Sequence, residues 1–181
     1  MQTLGKHLCV LSLALLGLAG CKAHSAGSSQ AVAATITAGE IGSLLPAFEL
    51  RDLQGRELSS ATLRGKVVLI DFWATWCQPC KKEMPGYQKL LDRYRSRGFV
   101  VIGFKFDTMA DTEDPLEFAH RIGVHYPLAV APDELKQKFG GIEGLPTTML
   151  YDRHGILRKK VVGFEYAEAI ESAAKPLLRA N

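Results

Sequence analysis

The run Val67-Val68-Leu69-Ile70-Asp71-Phe72-Trp73-Ala74-Thr75-Trp76-Cys77-Gln78-Pro79-Cys80 constrains the fold of this chain more than any other stretch. An apolar, β-branched segment of strand length ends in two tryptophans. It then delivers a Cys-X-X-Cys onto what reads as the first turn of a helix, where the missing N–H of Pro79 costs nothing. Strand, cysteine pair and helix follow one another without a break. Two cysteines at this spacing on a helix start can close a small-ring disulfide, and the positive end of the helix dipole favours the thiolate of the first. Cys77 is therefore the predicted nucleophile and Cys80, one turn deeper, the predicted resolving thiol.

The 181 residues, 47% of them hydrophobic, suffice for one ordinary domain with a sizeable core. The first twenty residues stand apart from it. Lys6 and His7 form a short basic region, Leu8 to Leu18 an apolar one, and small residues lead to Cys21. That pattern reads as an export signal, since the apolar part is shorter than the roughly 20 residues a bilayer requires. Residues 21–45 are rich in Ala, Ser and Gly and read as a flexible tether, so the domain is expected over 46–181. Cys9 goes with the signal, which leaves Cys77 and Cys80 as the only cysteines of the domain. In so small a loop a disulfide contributes little entropic stabilisation, which favours chemistry over stapling.

Charge excludes one function class. The net charge is +3, and without Lys6 there are 21 basic against 19 acidic side chains. Arg93-Tyr94-Arg95-Ser96-Arg97 reads as the last turn of a helix, where cations complement the dipole, and not as a nucleic-acid patch. Around the organising run the expected elements are a hairpin across Asp52-Leu53-Gln54-Gly55, a strand from Lys66 to Trp73, and a helix from Pro79 to Arg97 kinked at Pro85. A strand from Phe99 to Phe106 follows. Helix signals from Asp114-Pro115 to Arg121 and from Pro132-Asp133 to Phe139 then flank Leu128-Ala129-Val130. A second hairpin pairs Thr147–Tyr151 with Leu157–Val162, and a helix closes the chain from Tyr166 to Arg179.

Three motifs in order, Trp73-Ala74-Thr75-Trp76-Cys77-Gln78-Pro79-Cys80, Lys81-Lys82-Glu83-Met84-Pro85 and Gly144-Leu145-Pro146-Thr147-Thr148, resemble the thioredoxin superfamily. Within it the chain is most similar to the membrane-anchored TlpA/ResA-like thiol-disulfide oxidoreductases. The resemblance covers Pro46 to the C-terminus. It implies an α/β, three-layer fold with a mixed central sheet, an N-terminal β-hairpin and a central α/β insertion. It also implies a lipobox ending at Cys21, which would become the lipidated N-terminus. An ordinary signal cut near Ala23–Ala26 or Ala31–Ala33 is the alternative.

By the same resemblance Asp71 is a buried acid beneath the cysteines that takes the proton of Cys80 through a water, with Lys105 as its partner. A glutamate at the place of Glu83 tunes the thiols in ResA-like proteins, so the choice of proton acceptor between Asp71 and Glu83 stays open. Pro146 is expected in cis, and Trp76, Leu145, Pro146 and Thr147 are expected to line the groove for an incoming peptide. Trp73 belongs to the core. Gln78-Pro79 between the cysteines lacks the His of strong oxidants, which points to a reductase.

The expected partners are protein or peptide disulfides, a membrane-spanning thiol donor that recharges the pair, and the membrane itself through lipid at Cys21. The expected location is the bacterial envelope, facing the periplasm. Cytochrome c maturation is one option, although Thr147 departs from the Gly-X-Pro-Glu common in those members. No cofactor is implied. The second half of a zinc site is missing, since His120, His125 and His154 are not spaced to complete one. Alternatives in other classes are a peroxidase of the peroxiredoxin type, whose Pro-X-X-X-Thr-X-X-Cys pocket the sequence does not supply, and a non-enzymatic metal carrier.

Overall fold

The computed structural model describes residues 37–106, 111 and 113–180. The expected signal, Cys9, Cys21 and the first part of the tether lie outside the described residues. Seven strands and four α-helices follow in the order β1 (Glu49–Arg51), β2 (Glu57–Ser59), β3 (Val67–Trp73), α1 (Gln78–Tyr94), β4 (Phe99–Lys105), α2 (Pro115–Arg121), β5 (Leu128–Val130), α3 (Asp133–Lys138), β6 (Thr147–Tyr151), β7 (Leu157–Val162) and α4 (Ala167–Arg179). The expected elements are all present, with ends shifted by a few residues. Three residues of 3-10 helix, Arg95–Arg97, extend α1 before Gly98 turns the chain in the left-handed region.

Five strands form the central sheet in the order β5-β4-β3-β6-β7. β3 runs parallel to β4 and antiparallel to β6. Every residue of β3 is buried, as a central strand covered on both faces requires. Its alternate side chains serve two cores. Val67, Leu69 and Trp73 point to the face covered by Met84, Tyr87 and Leu90 of α1 and by Ile170, Ala174 and Leu178 of α4. Val68, Ile70 and Phe72 point to the other face, where Phe48, Leu58, Leu135 and Phe139 pack.

The two hairpin turns are built alike. Asp52 accepts the N–H groups of Gln54 and Arg56 at 2.9 Å, and its second oxygen binds Arg56 Nε at 2.7 Å. Asp152 does the same with His154, Ile156 and Arg158. An aspartate that occupies its own turn backbone fixes where each hairpin bends.

The tether was expected to run to Leu45, but its last nine residues are docked. The Gly42 N–H donates to Leu157 O at 2.9 Å, the Leu157 N–H to Ser43 O at 2.8 Å, and the Leu45 N–H to Gly155 O at 2.7 Å. Gly39 and Gly140 meet back to back, both at positive φ, and a Cβ on Gly39 would lie 2.2 Å from Phe139 O. Small residues that read as flexibility here permit backbone to approach backbone.

Candidate active site

β3 ends beside the site and α1 begins in it. Cys77 is the N-cap of α1; its Sγ accepts the Cys80 N–H at 3.3 Å, and Gln78-Pro79 form the first helical positions. Cys77 and Cys80 are joined by a disulfide with Cα atoms 5.3 Å apart. Cys80 is fully buried and Cys77 is 3% exposed, between exposed Trp76 and exposed Gln78. The outer sulfur thus belongs to the residue expected to attack, and the inner one to the residue expected to resolve.

Asp71 lies on the α1 face of β3 by alternation with Leu69 and Trp73. It is fully buried, and neither carboxyl oxygen has a hydrogen-bond partner among the described residues. Burial first, and then the charge of Glu83, hold its pKa well above the ordinary carboxylate range. Glu83 is buried as well: one oxygen accepts the Glu165 N–H at 3.2 Å, and the other has no partner among the described residues. Burial pushes its pKa up to about 7, although the Glu165 N–H and the Tyr87 hydroxyl pull it down. The two acids are coupled through their charges, so a proton on one favours ionisation of the other.

The expected partner of Asp71 is a correction. Lys105 does not reach it. The β3–β4 register places Gly103 opposite Asp71 and Lys105 opposite Trp73, and the Trp73 indole lies over Gly103. The Lys105 ammonium instead binds Asp111 at 2.7 Å and Phe106 O at 3.1 Å. Asp111 also accepts a hydrogen bond from the Thr75 hydroxyl, in the turn that carries Trp76 and Cys77. The sequence reading passed over Thr75 and Asp111. They are separated by 36 residues, and only the crossing of chain segments brings them together.

The Leu145–Pro146 bond is cis. Since Thr147 pairs with Phe72, the register carries Pro146 toward the end of β3, from which the cysteine turn departs. Leu145 is half-buried, packed against both cores. Trp76 is 45% exposed and Trp73 is buried, stacked on Phe118 with ring centroids 5.3 Å apart. Thr147 departs from its expected part in one respect. Its side chain is buried, its hydroxyl donates to Gly144 O at 2.7 Å, and in the sheet it pairs with Phe72 on one side and Val162 on the other.

A groove of about 690 Å³ borders the site between α1 and the β7–α4 loop, lined by Pro79, Lys82, Glu83, Phe164, Glu165 and Tyr166 among others. A separate hollow of about 420 Å³ beside the first hairpin is lined by Arg56, His120 and His125, and no residue expected to do chemistry faces it. Among the described residues no cluster of three or more His, Cys, Asp or Glu side chains could hold a metal.

Residues 41–160 match the AhpC/TSA family. The chain is 31% identical over 139 residues to the thiol-disulfide oxidoreductase ResA of Bacillus anthracis, covering 76% of this chain and 79% of that one. It is 35% identical over 136 residues to ResA of Geobacillus thermodenitrificans, covering 75% and 76%. A crystal structure of a putative thiol:disulfide interchange protein DsbE from Chlorobium tepidum superposes with a TM-score of 0.68 at 30% identity, over 77% of this chain and 98% of that one. The chain is a ResA-like member of the AhpC/TSA family. As a ResA-like protein it is a thiol-disulfide oxidoreductase on a thioredoxin-like fold, with the Cys77–Cys80 disulfide as its redox pair. The described helices include none long and apolar enough to cross a membrane.

Proposed function

We propose that this ResA-like protein is an exported, lipid-anchored reductase of disulfides in envelope proteins, recharged by a membrane-spanning thiol donor, with apocytochrome c among its candidate substrates. The observation that carries the reading is the active-site turn: Cys77 caps α1 beside exposed Trp76, with Gln78-Pro79 and no cation between the two sulfurs. Without a positive charge there, the reduced thiolate is stabilised less than in strong oxidants, so the pair gives up electrons more readily. In the reduced protein the Cys77 thiolate attacks a substrate disulfide and expels one substrate thiolate. The mixed disulfide is held in the groove around Trp76, Leu145 and Pro146. Cys80 then loses its proton and attacks Cys77 Sγ, which releases the second substrate thiolate and closes the Cys77–Cys80 bond. The resemblance of the leader to a lipobox supports Cys21 as the anchor.

Two measurements test the reading. Cys80→Ala expressed in the native envelope should accumulate mixed disulfides through Cys77, and partners cross-linked to it should be identifiable by mass spectrometry. The midpoint potential should lie well below the roughly −120 mV of a strong oxidant such as DsbA; a value near that figure overturns the reductase direction. Peroxide turnover as fast as disulfide turnover would replace the reading with a peroxidase.

A further inference from the structure

Asp71 and Glu83 are both buried, yet they sit on different elements, Asp71 on β3 and Glu83 on α1 at the groove. What lies between them is a pair of hydroxyls. The β3–β6 register sets Thr148 directly opposite Asp71, so the two side chains share a face with Cβ atoms about 5 Å apart. Tyr87 Oη lies 3.2 Å from Thr148 Oγ1, and either atom can donate. Tyr87 is also one helical turn beyond Glu83 on α1 and faces the same buried space. The buried Glu83 Oε1 has no hydrogen-bond partner among the described residues, so a small turn of the Tyr87 or Glu83 side chain closes that link. Tyr126 places a further buried hydroxyl, without a partner among the described residues, in the field of Asp71, Tyr87 and Glu83. At the outer end Glu165, whose N–H binds Glu83, is ion-paired through its carboxylate to Lys159 at 3.1 Å.

We propose that Tyr87 and Thr148 form a two-hydroxyl proton wire that carries the proton of Cys80 from Asp71 to Glu83 and so to the groove. Cys80 gives its thiol proton to ionised Asp71 as its sulfur attacks Cys77. A turn of the Thr148 side chain brings its hydroxyl to Asp71. Asp71 passes a proton to Thr148, Thr148 passes its own to Tyr87, and Tyr87 passes its own to ionised Glu83. One proton leaves Asp71 and one arrives at Glu83, while both hydroxyls end as they began with their donor direction reversed. Asp71 is then ionised again for the next turnover. Tyr87 and Thr148 act through the carboxyls and touch no substrate, so they are positioning residues for proton transfer. The inference rests on disulfide exchange at Cys77 and Cys80 and is independent of its direction in the cell.

The test uses the reduced chain carrying Cys9→Ser and Cys21→Ser, so that only Cys77 and Cys80 react, mixed at pH 7 with excess nitrobenzoate disulfide. The first coloured thiolate reports attack by Cys77 and the second reports resolution by Cys80. Thr148→Val and Tyr87→Phe should slow the second release about tenfold or more, the lower range of general acid–base effects, with the loss confined to that step. Thr148→Ser, which restores the hydroxyl, should recover the second release to within about twofold of the parent, and Tyr87→Phe added to Glu83→Gln should slow it no further, because the two act as one unit. A second release in Thr148→Val equal to the parent, or Thr148→Ser as slow as Thr148→Val, overturns the wire. Should Tyr87→Phe fail to fold, the valine and serine variants decide alone. If the parent chain itself releases no second thiolate, the exchange chemistry of the pair is overturned, and the wire falls with it.

Discussion

Glu83 shows how one side chain joins function to stability. Its pKa in the folded protein is raised from 4.5 to about 7, so the native state binds that proton more tightly than the unfolded chain does. The stability it allows is complete below about pH 4.5, falls as pH rises, and is lost above about pH 7. The difference amounts to about 3 kcal/mol at most, and Asp71 adds to it with the same sign. Glu83→Gln should therefore be more stable than the parent at pH 8 and show a flatter loss between pH 5 and 8, measured by urea unfolding of the oxidised protein. At this scale the sequence was informative about chemistry and weak on partners. Cys77 and Cys80 are recognisable from residue type and spacing, whereas Asp71 and Glu83 are singled out by the family resemblance. The pairing of Lys105 with Asp111 is not, because Asp111 enters from a loop and a tryptophan ring fills the place where Asp71 would have been reached.

Between elements, the contact of β3 with β4 decides how the acid is enclosed. Gly103 faces Asp71 across the parallel pair, and a Cβ there would lie 2.4 Å from Leu128 Cδ2 and 2.9 Å from Trp73 Nε1. Gly103→Ala should destabilise the fold by about 1–3 kcal/mol through overpacking, and the fluorescence of Trp73 should shift as its ring is displaced. A glycine inside a strand is visible in the sequence, and its meaning as a close approach is general. Which ring occupies the space follows only from the register. The boundaries of α1 show the same division. Pro79 and Gly98 mark its two ends in sequence, whereas the change from α to 3-10 geometry at Arg95 carries no such mark.

Across the whole molecule a single guanidinium ties the ends of the cysteine helix and the closing helix to the approach to the sheet. Arg153, in the second hairpin turn, donates to Gly65 O at 2.7 Å, Ala180 O at 2.9 Å, Arg97 O at 3.0 Å and Leu178 O at 3.3 Å. Those carbonyls belong to the approach to β3, the end of the α1 extension and the end of α4. Arg153→Ala should lower stability by about 2 kcal/mol, with the partial exposure of the site already discounted. Arg153→Lys should recover little of it, since one ammonium cannot span a fork of carbonyls; urea midpoints for the three proteins check both. The docked residues 37–45 belong to this scale too. Backbone hydrogen bonds tie them to β7 and its turn, and Leu45 packs against the core that holds Phe48 and Phe72, contacts that no local pattern in the chain marks.

The order of strands and helices along the chain and the redox pair with its helix were determined by the sequence alone, because periodicity, caps and a Cys-X-X-Cys are local in the chain. Tertiary structure decided which groups share the buried space: Thr148 with Tyr87, Glu83 with Asp71, Lys105 with Asp111. The physical reason is that hydrogen bonds and burial act over a few ångströms, and segments dozens of residues apart come that close only when sheet register and helix packing place them.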